Sequence, residues 1–185
     1  MLIGIAFLLC LASVPLARGR LGALGDLRFR RAWLLGLAIA VQVVIVSIIP
    51  GTGSPAMHNA VHITTYFLVG AFVIANRRIP WVWLVAVGGA SNFAAIVANG
   101  GVMPADPDAV AAAGLAVAPD EFVNSGVVAH PHLAFLGDVF AVPASWPVSN
   151  VFSVGDVLIL VGALLAMHCV CASRMAVRRF AVPVV

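Results

Sequence analysis

The sequence predicts an all-α integral membrane protein: a five-helix transmembrane bundle, N-terminus outside and C-terminus inside, with a partly helical apolar outer segment covering the bundle. Three observations predict it. Hydrophobic residues make up 63% of the 185 residues, charged residues 9%, and mean hydropathy is +1.11. Soluble domains carry about 45–50% apolar and about 25% charged residues, so a chain this apolar needs lipid as its solvent. Apolar runs at about 2–17, 32–49, 57–76, 80–98 and 153–173 approach the roughly 20 residues that cross a bilayer as a helix. The ten basic residues are all arginines in three clusters: Arg18, Arg20, Arg28, Arg30 and Arg31; Arg77 and Arg78; Arg174, Arg178 and Arg179. If all three clusters are cytoplasmic, the chain alternates across the membrane without contradiction. The net charge of +3 is then a topology signal and no nucleic-acid surface.

The chain reads as one membrane domain, residues 1–185, in the cell membrane. Its first run, MLIGIAFLLCLASVPLA, carries its charges after the apolar stretch, which favours an uncleaved helix over a signal peptide. Cys10, Cys169 and Cys171 all fall in helices, so free thiols are expected. The basic linker RGRLGALGDLRFRR is expected in the inner headgroup region, with Leu24, Leu27 and Phe29 dipping inward. Gln42 is the polar group of the second span and needs a partner on another helix, because an unpaired buried amide is costly. PGTGSP is a tight turn of turn-forming residues, and Pro80 is placed to open the fourth span.

That fourth span holds Gly88, Gly89, Ala90, Ser91, Ala94, Ala95 and Ala98, small side chains that let helix backbones approach. Asn92 lies in its last turns, and Asn99-Gly100 reads as a C-terminal cap followed by Gly101. The outer segment, 99–152, contains no basic residue. Asp106, Pro107 and Asp108 predict a short helix over about 107–116. Phe122, Val127, Val128, Leu133, Phe135, Leu136, Val139, Phe140 and Trp146 make the segment too apolar for a solvated loop, so it is expected to fold over the bundle mouth.

Three groups of residues bear on chemistry. Asp138 and Asp156 are carboxylates near the membrane surface; a coupled pair there can share a proton and activate water, whereas isolated ones cap helix starts. His58 and His62 share a helical face with Tyr66 one turn deeper. That face suits a haem, metal or quinone only if a further ligand such as His130 or His132 joins it, and interfacial hydrogen bonding is the plainer reading. GGASN and NGG lack the lysine and strand context of a phosphate loop. No metal site is assigned, and the cofactor is unknown.

The run HITTYFLVGAFVIANRR, then NFAAIVANGGVMP, FLGDVFAVP and FSVGDVLILVGALL, resembles domain-of-unknown-function family 5317, small bacterial membrane proteins, over most of residues 20–170. The resemblance implies a multi-pass membrane protein and no activity. GGASNFAA and VFSVGD are also similar to the motifs of signal peptidase II, the lipoprotein signal peptidase. That resemblance implies that Asp156 matches the second catalytic aspartate, while Ala95 stands where the first would be and Ile96 where an arginine follows. Without the first carboxylate the dyad needs Asp138 as a substitute. The expected function is therefore a non-catalytic accessory subunit, or a binder of a lipid or apolar ligand at the outer face. The alternatives are an aspartate-dependent membrane hydrolase, or a cofactor site at His58 and His62. The expected partners are the lipid bilayer and another membrane protein or apolar ligand.

Overall fold

The computed structural model describes residues 2–45, 55–115 and 125–176. Most of the expected PGTGSP turn, the end of the second span, Phe122, Arg178 and Arg179 lie outside the described residues. The protein is mostly helical. In chain order the elements are α1 (Leu2–Leu16), α2 (Gly22–Gly25), α3 (Ala32–Val43), α4 (Pro55–Ala75), α5 (Val82–Ala98), β1 (Met103–Pro104) and α6 (Pro107–Ala112). They continue with β2 (Ser125–Gly126), a 3-10 turn at Ala134–Leu136, β3 (Phe140–Val142), β4 (Asn150–Phe152) and α7 (Val154–Val170). Within α4, Met57–Ala75 is long and apolar enough to cross a membrane, with 19 residues at a mean hydropathy of 1.3.

Helices α1, α5 and α7 are shorter than their expected spans, while α3 runs to the edge of the described residues, and the visible boundaries have local causes. Arg31 and Trp81 precede α3 and α5 in the left-handed region, at φ +56° and +63°, so α5 opens after Trp81 rather than at Pro80. Ser153 and Asp156 form a capping box that sets the start of α7. Asn99 closes α5, and Gly100 and Gly101 continue at φ +68° and +101°, a conformation that costs glycine little. Gly101 must also lie against Asn59, whose side chain would meet any Cβ there.

The long helices pack side by side in the order α1, α7, α5, α4, α3. The closest approach is α5 on α7, and glycines make it possible: a Cβ on Gly88 would meet the Gly155 carbonyl, and one on Gly162 would meet Val85. Gly89, by contrast, faces open space. Val14, Met167 and Cys171 form one buried cluster, with Leu24 packed against it. Ala95, Ile96 and Met103 form another, against Ile63, Tyr66 and Leu136. Faces outside these contacts expose Leu8, Leu9, Trp33, Phe67, Ile74 and Trp83.

The described arginines of the three clusters all lie where the helices end on the same side of the bundle. The Arg20 amide donates to the Cys171 carbonyl and the Arg174 amide to the Ala17 carbonyl, both at 2.9 Å, which ties the ends of α1 and α7 together. Gly19 lies so close to Val14 and Ser173 that a side chain there would collide. Asn76, after α4, accepts from the Arg30 amide and donates to the Arg30 carbonyl, both at 2.9 Å, and so brings the second cluster to the first. The rings of Phe29 and Phe72 meet at 5.7 Å, tilted by 42°, beside that clamp.

The segment after α5 is a folded cap that combines the expected short helix with strands. The short helix forms at Pro107–Ala112, with Asp106 as its N-cap accepting from the Asp108 amide. The segment also contains strands: β1 pairs parallel with β2, and β3 pairs antiparallel with β4. Phe140 and Phe152 meet across the second pair at 5.3 Å. The Asp138 amide donates to the Pro104 carbonyl at 2.9 Å, and the Asp106 amide donates to the Asp138 carbonyl at 3.1 Å, which locks the middle of the cap to β1.

Candidate functional site

The ends of α4, α5 and α7 opposite the arginines meet the cap at a buried polar cluster. Its centre is a closed ring of hydrogen bonds. Asn92 on α5 donates to Asp156 Oδ1 at 2.9 Å and accepts from Ser153 Oγ at 2.9 Å. The other Asp156 oxygen accepts from the Ser153 amide, and Ser153 Oγ accepts from the Asp156 amide, both at 3.0 Å. Every donor in the ring has a matching acceptor, so the orientation of the Asn92 amide is determined. Gly155 makes room for it, because a Cβ there would overlap the Asn92 side chain.

Asp138 reaches the same region from the cap. It is 6% exposed and accepts from Ser125 Oγ at 2.5 Å. Burial pushes its carboxyl above the ordinary value of 3.8; the Ser125 bond opposes the rise and the Asp156 charge adds to it. Asp138 therefore sits within electrostatic reach of Asp156, and Tyr66 on α4 lies within reach of both. The two sequence-predicted carboxylates lie at the same end of the helices, and only Asp156 caps a helix.

The remaining predicted residues fall into two groups. His62 Nδ1 donates to the Gly101 carbonyl at 3.3 Å and its ring lies 5.5 Å from Tyr66, so it belongs to the same end of the molecule. Asn99 donates to Ala95 and His132 carbonyls at 2.7 and 2.8 Å and accepts from the His132 amide, while Asn59 donates to the Gly100 carbonyl at 2.6 Å. Both asparagines fasten the cap. Gln42 lies apart, donating to Thr65 Oγ1 at 2.7 Å between α3 and α4. His58 and His62 are both buried, whereas His130 and His132 are exposed. Among the described residues no group of three His, Cys, Asp or Glu is placed to hold a metal ion.

Several polar residues escaped the sequence reading. Ser125 and Ser153 carry no motif of their own beyond the start of a helix. His168, 1% exposed, is held between Ser13 Oγ at 3.0 Å and Ser173 Oγ at 2.6 Å. Because Ser13 donates its proton to the Cys10 carbonyl, Nε2 of His168 donates to Ser13 Oγ. This network joins α1 to α7 near the arginine end.

The arrangement fastens the cap to the helices through Asn59 and Asn99 and buries the Asp138 carboxylate. Residues 26–168 match the family described as "Family of unknown function (DUF5317)", and the chain belongs to that family. No curated protein and no solved structure matches the chain.

Proposed function

We propose that this is a multi-pass protein of the cell membrane that binds a lipid or another apolar ligand at its outer face without catalysing a reaction. The five apolar helices are read as spans, with the arginine end cytoplasmic and the cap outside. Two observations support that placement: the described arginines on one side of the bundle, and the apolar side chains exposed along the helix row. The 17-residue helices α5 and α7 sit at the low end of spanning length, about 17–25 residues. The observation that carries the non-catalytic reading is saturation of the cluster. Both Asp156 oxygens, both polar atoms of Asn92 and the Ser153 hydroxyl are engaged with one another. Such a ring fixes α5 against α7, while the cap, fastened by Asn59 and Asn99, presents Phe135 and Trp146, 67% and 66% exposed, as contacts for an apolar ligand or a partner subunit.

Native mass spectrometry on protein extracted gently from its own membranes tests this. A retained lipid-sized mass, lost in a Phe135→Ser, Trp146→Ser double variant, is expected. An apo mass alone in the native protein would contradict ligand binding. A second reading, an aspartate-dependent hydrolase related in architecture to signal peptidase II, draws on the coupling of buried Asp138 to Asp156. Against it, Ala95 is fully buried in an apolar cluster. Cleavage of a membrane-inserted lipopeptide that disappears in both Asp138→Asn and Asp156→Asn would favour it over binding.

A further inference from the structure

A cavity of about 330 Å³ opens between the start of α3 and the end of α4, far along the helix row from the carboxylate cluster, and Arg30, Arg31, Arg77, Ala71, Ile74 and Ala75 line it. Three guanidinium-bearing residues thus share one concavity whose remaining lining is aliphatic, and no carboxylate is among them. Like charges so placed repel unless an anion joins them. The fold nevertheless builds this arrangement rigidly. Asn76 grips the Arg30 backbone through both its amide nitrogen and its oxygen, and also donates to the Phe72 carbonyl at 2.8 Å. Arg31 is held in the left-handed region at φ +56°.

We propose that this cavity is a cradle for a phosphate group carried by an anionic phospholipid. Guanidinium forks match phosphate oxygens in pairs and give up hydration more readily than ammonium groups. The aliphatic part of the lining suits the glycerol and upper acyl carbons. Ile74 and Trp33 flank the same helix ends at 65% exposure each, as residues at an acyl and headgroup boundary would. A basic pocket between helices on the cytoplasmic side is the setting in which anionic headgroups bind selectively. The inference rests on the membrane reading, which resistance of the protein to carbonate extraction tests separately.

The experiment uses the full chain in nanodiscs of phosphatidylcholine with or without phosphatidylglycerol, followed by native mass spectrometry of retained lipid. Wild type is expected to retain phosphatidylglycerol selectively. Arg31→Gln and Arg77→Gln are each expected to weaken retention about fivefold, the effect of one basic residue near an anionic surface. Arg78→Gln removes an equal charge from a residue outside the cavity lining and is expected to change retention little. Retention that survives added inorganic phosphate assigns the site to the lipid headgroup; displacement by phosphate alone keeps the phosphate cradle and assigns it to a free phosphoryl ligand. Equal loss in Arg78→Gln, or unchanged retention in an Arg31→Gln, Arg77→Gln double variant that melts like wild type, overturns the proposal.

Discussion

The two ends of the helix row solve opposite electrostatic problems with the same device. At the arginine end, side-chain and backbone clamps from Asn76, Ala17 and Cys171 hold the connecting loops, and the described arginines there are exposed. At the carboxylate end, Asn92 and Ser153 close a ring on Asp156 while Ser125 holds Asp138 in the interior. An amide serves as the clamp in both places because it donates and accepts at once. Both amides are themselves buried, and the difference lies in what they hold: Arg30 is exposed, whereas Ser153 is fully buried. Loss of a partner at the exposed end returns polar groups to water, whereas loss at the buried end strands them.

That contrast is broken most severely by substitution at the α5–α7 contact. Gly155→Ala puts a Cβ into the Asn92 side chain and the Gly88 carbonyl. A destabilisation of about 3 kcal/mol, at the upper end of overpacking effects, is expected in thermal unfolding in detergent. Asn92→Leu removes the ring without overfilling the contact, and about 2 kcal/mol should be lost as Asp156 and Ser153 lose their partner. A loss of ligand binding with no change in melting would instead make Asn92 a contact residue.

At the other end, Asn76→Ala should cost only about 1 kcal/mol, because the Arg30 backbone groups it frees can reach water. If that variant melts as badly as Asn92→Leu, the contrast between the two ends is wrong. The smallest expected effect concerns pH. Burial raises the Asp138 carboxyl in the folded protein above 3.8, so the folded state holds its proton to higher pH than the unfolded chain does. The associated stabilisation is complete below the unfolded value and fades as pH rises through the raised folded value. Melting curves should therefore show this gain on acidification in the native protein and lack it in Asp138→Asn.

How much of this was legible depended on whether a residue answers to its neighbours in sequence or in space. The Asp106 cap, the Asn99-Gly100 helix end and the need of Gln42 for a partner are local or single-residue signals, and each appears in the structure. The ring could not be read, because its members are 61 and 64 residues apart and depend on α5 meeting α7. The Ser13 to His168 bond spans 155 residues for the same reason. The strands of the cap are two or three residues long, too short for alternation to register. Arg31 and Trp81 adopt positive φ without glycine or asparagine to signal it, so α5 starts two residues after the expected Pro80, while α3 starts at Ala32 as expected but without a visible cap.

The central claim is that the buried Asp138 carboxylate holds the cap together by fixing Ser125 in the β1–β2 pair. Hydrogen exchange of the native protein and of Asp138→Ala, both in the same detergent, tests it most directly. The account predicts faster exchange at Ala105, Asp106 and the β3–β4 pair in the variant, with the amides of Arg20 and Arg174 unchanged. Unaltered protection of the cap would contradict it, and would point to a carboxylate kept for chemistry instead of for architecture.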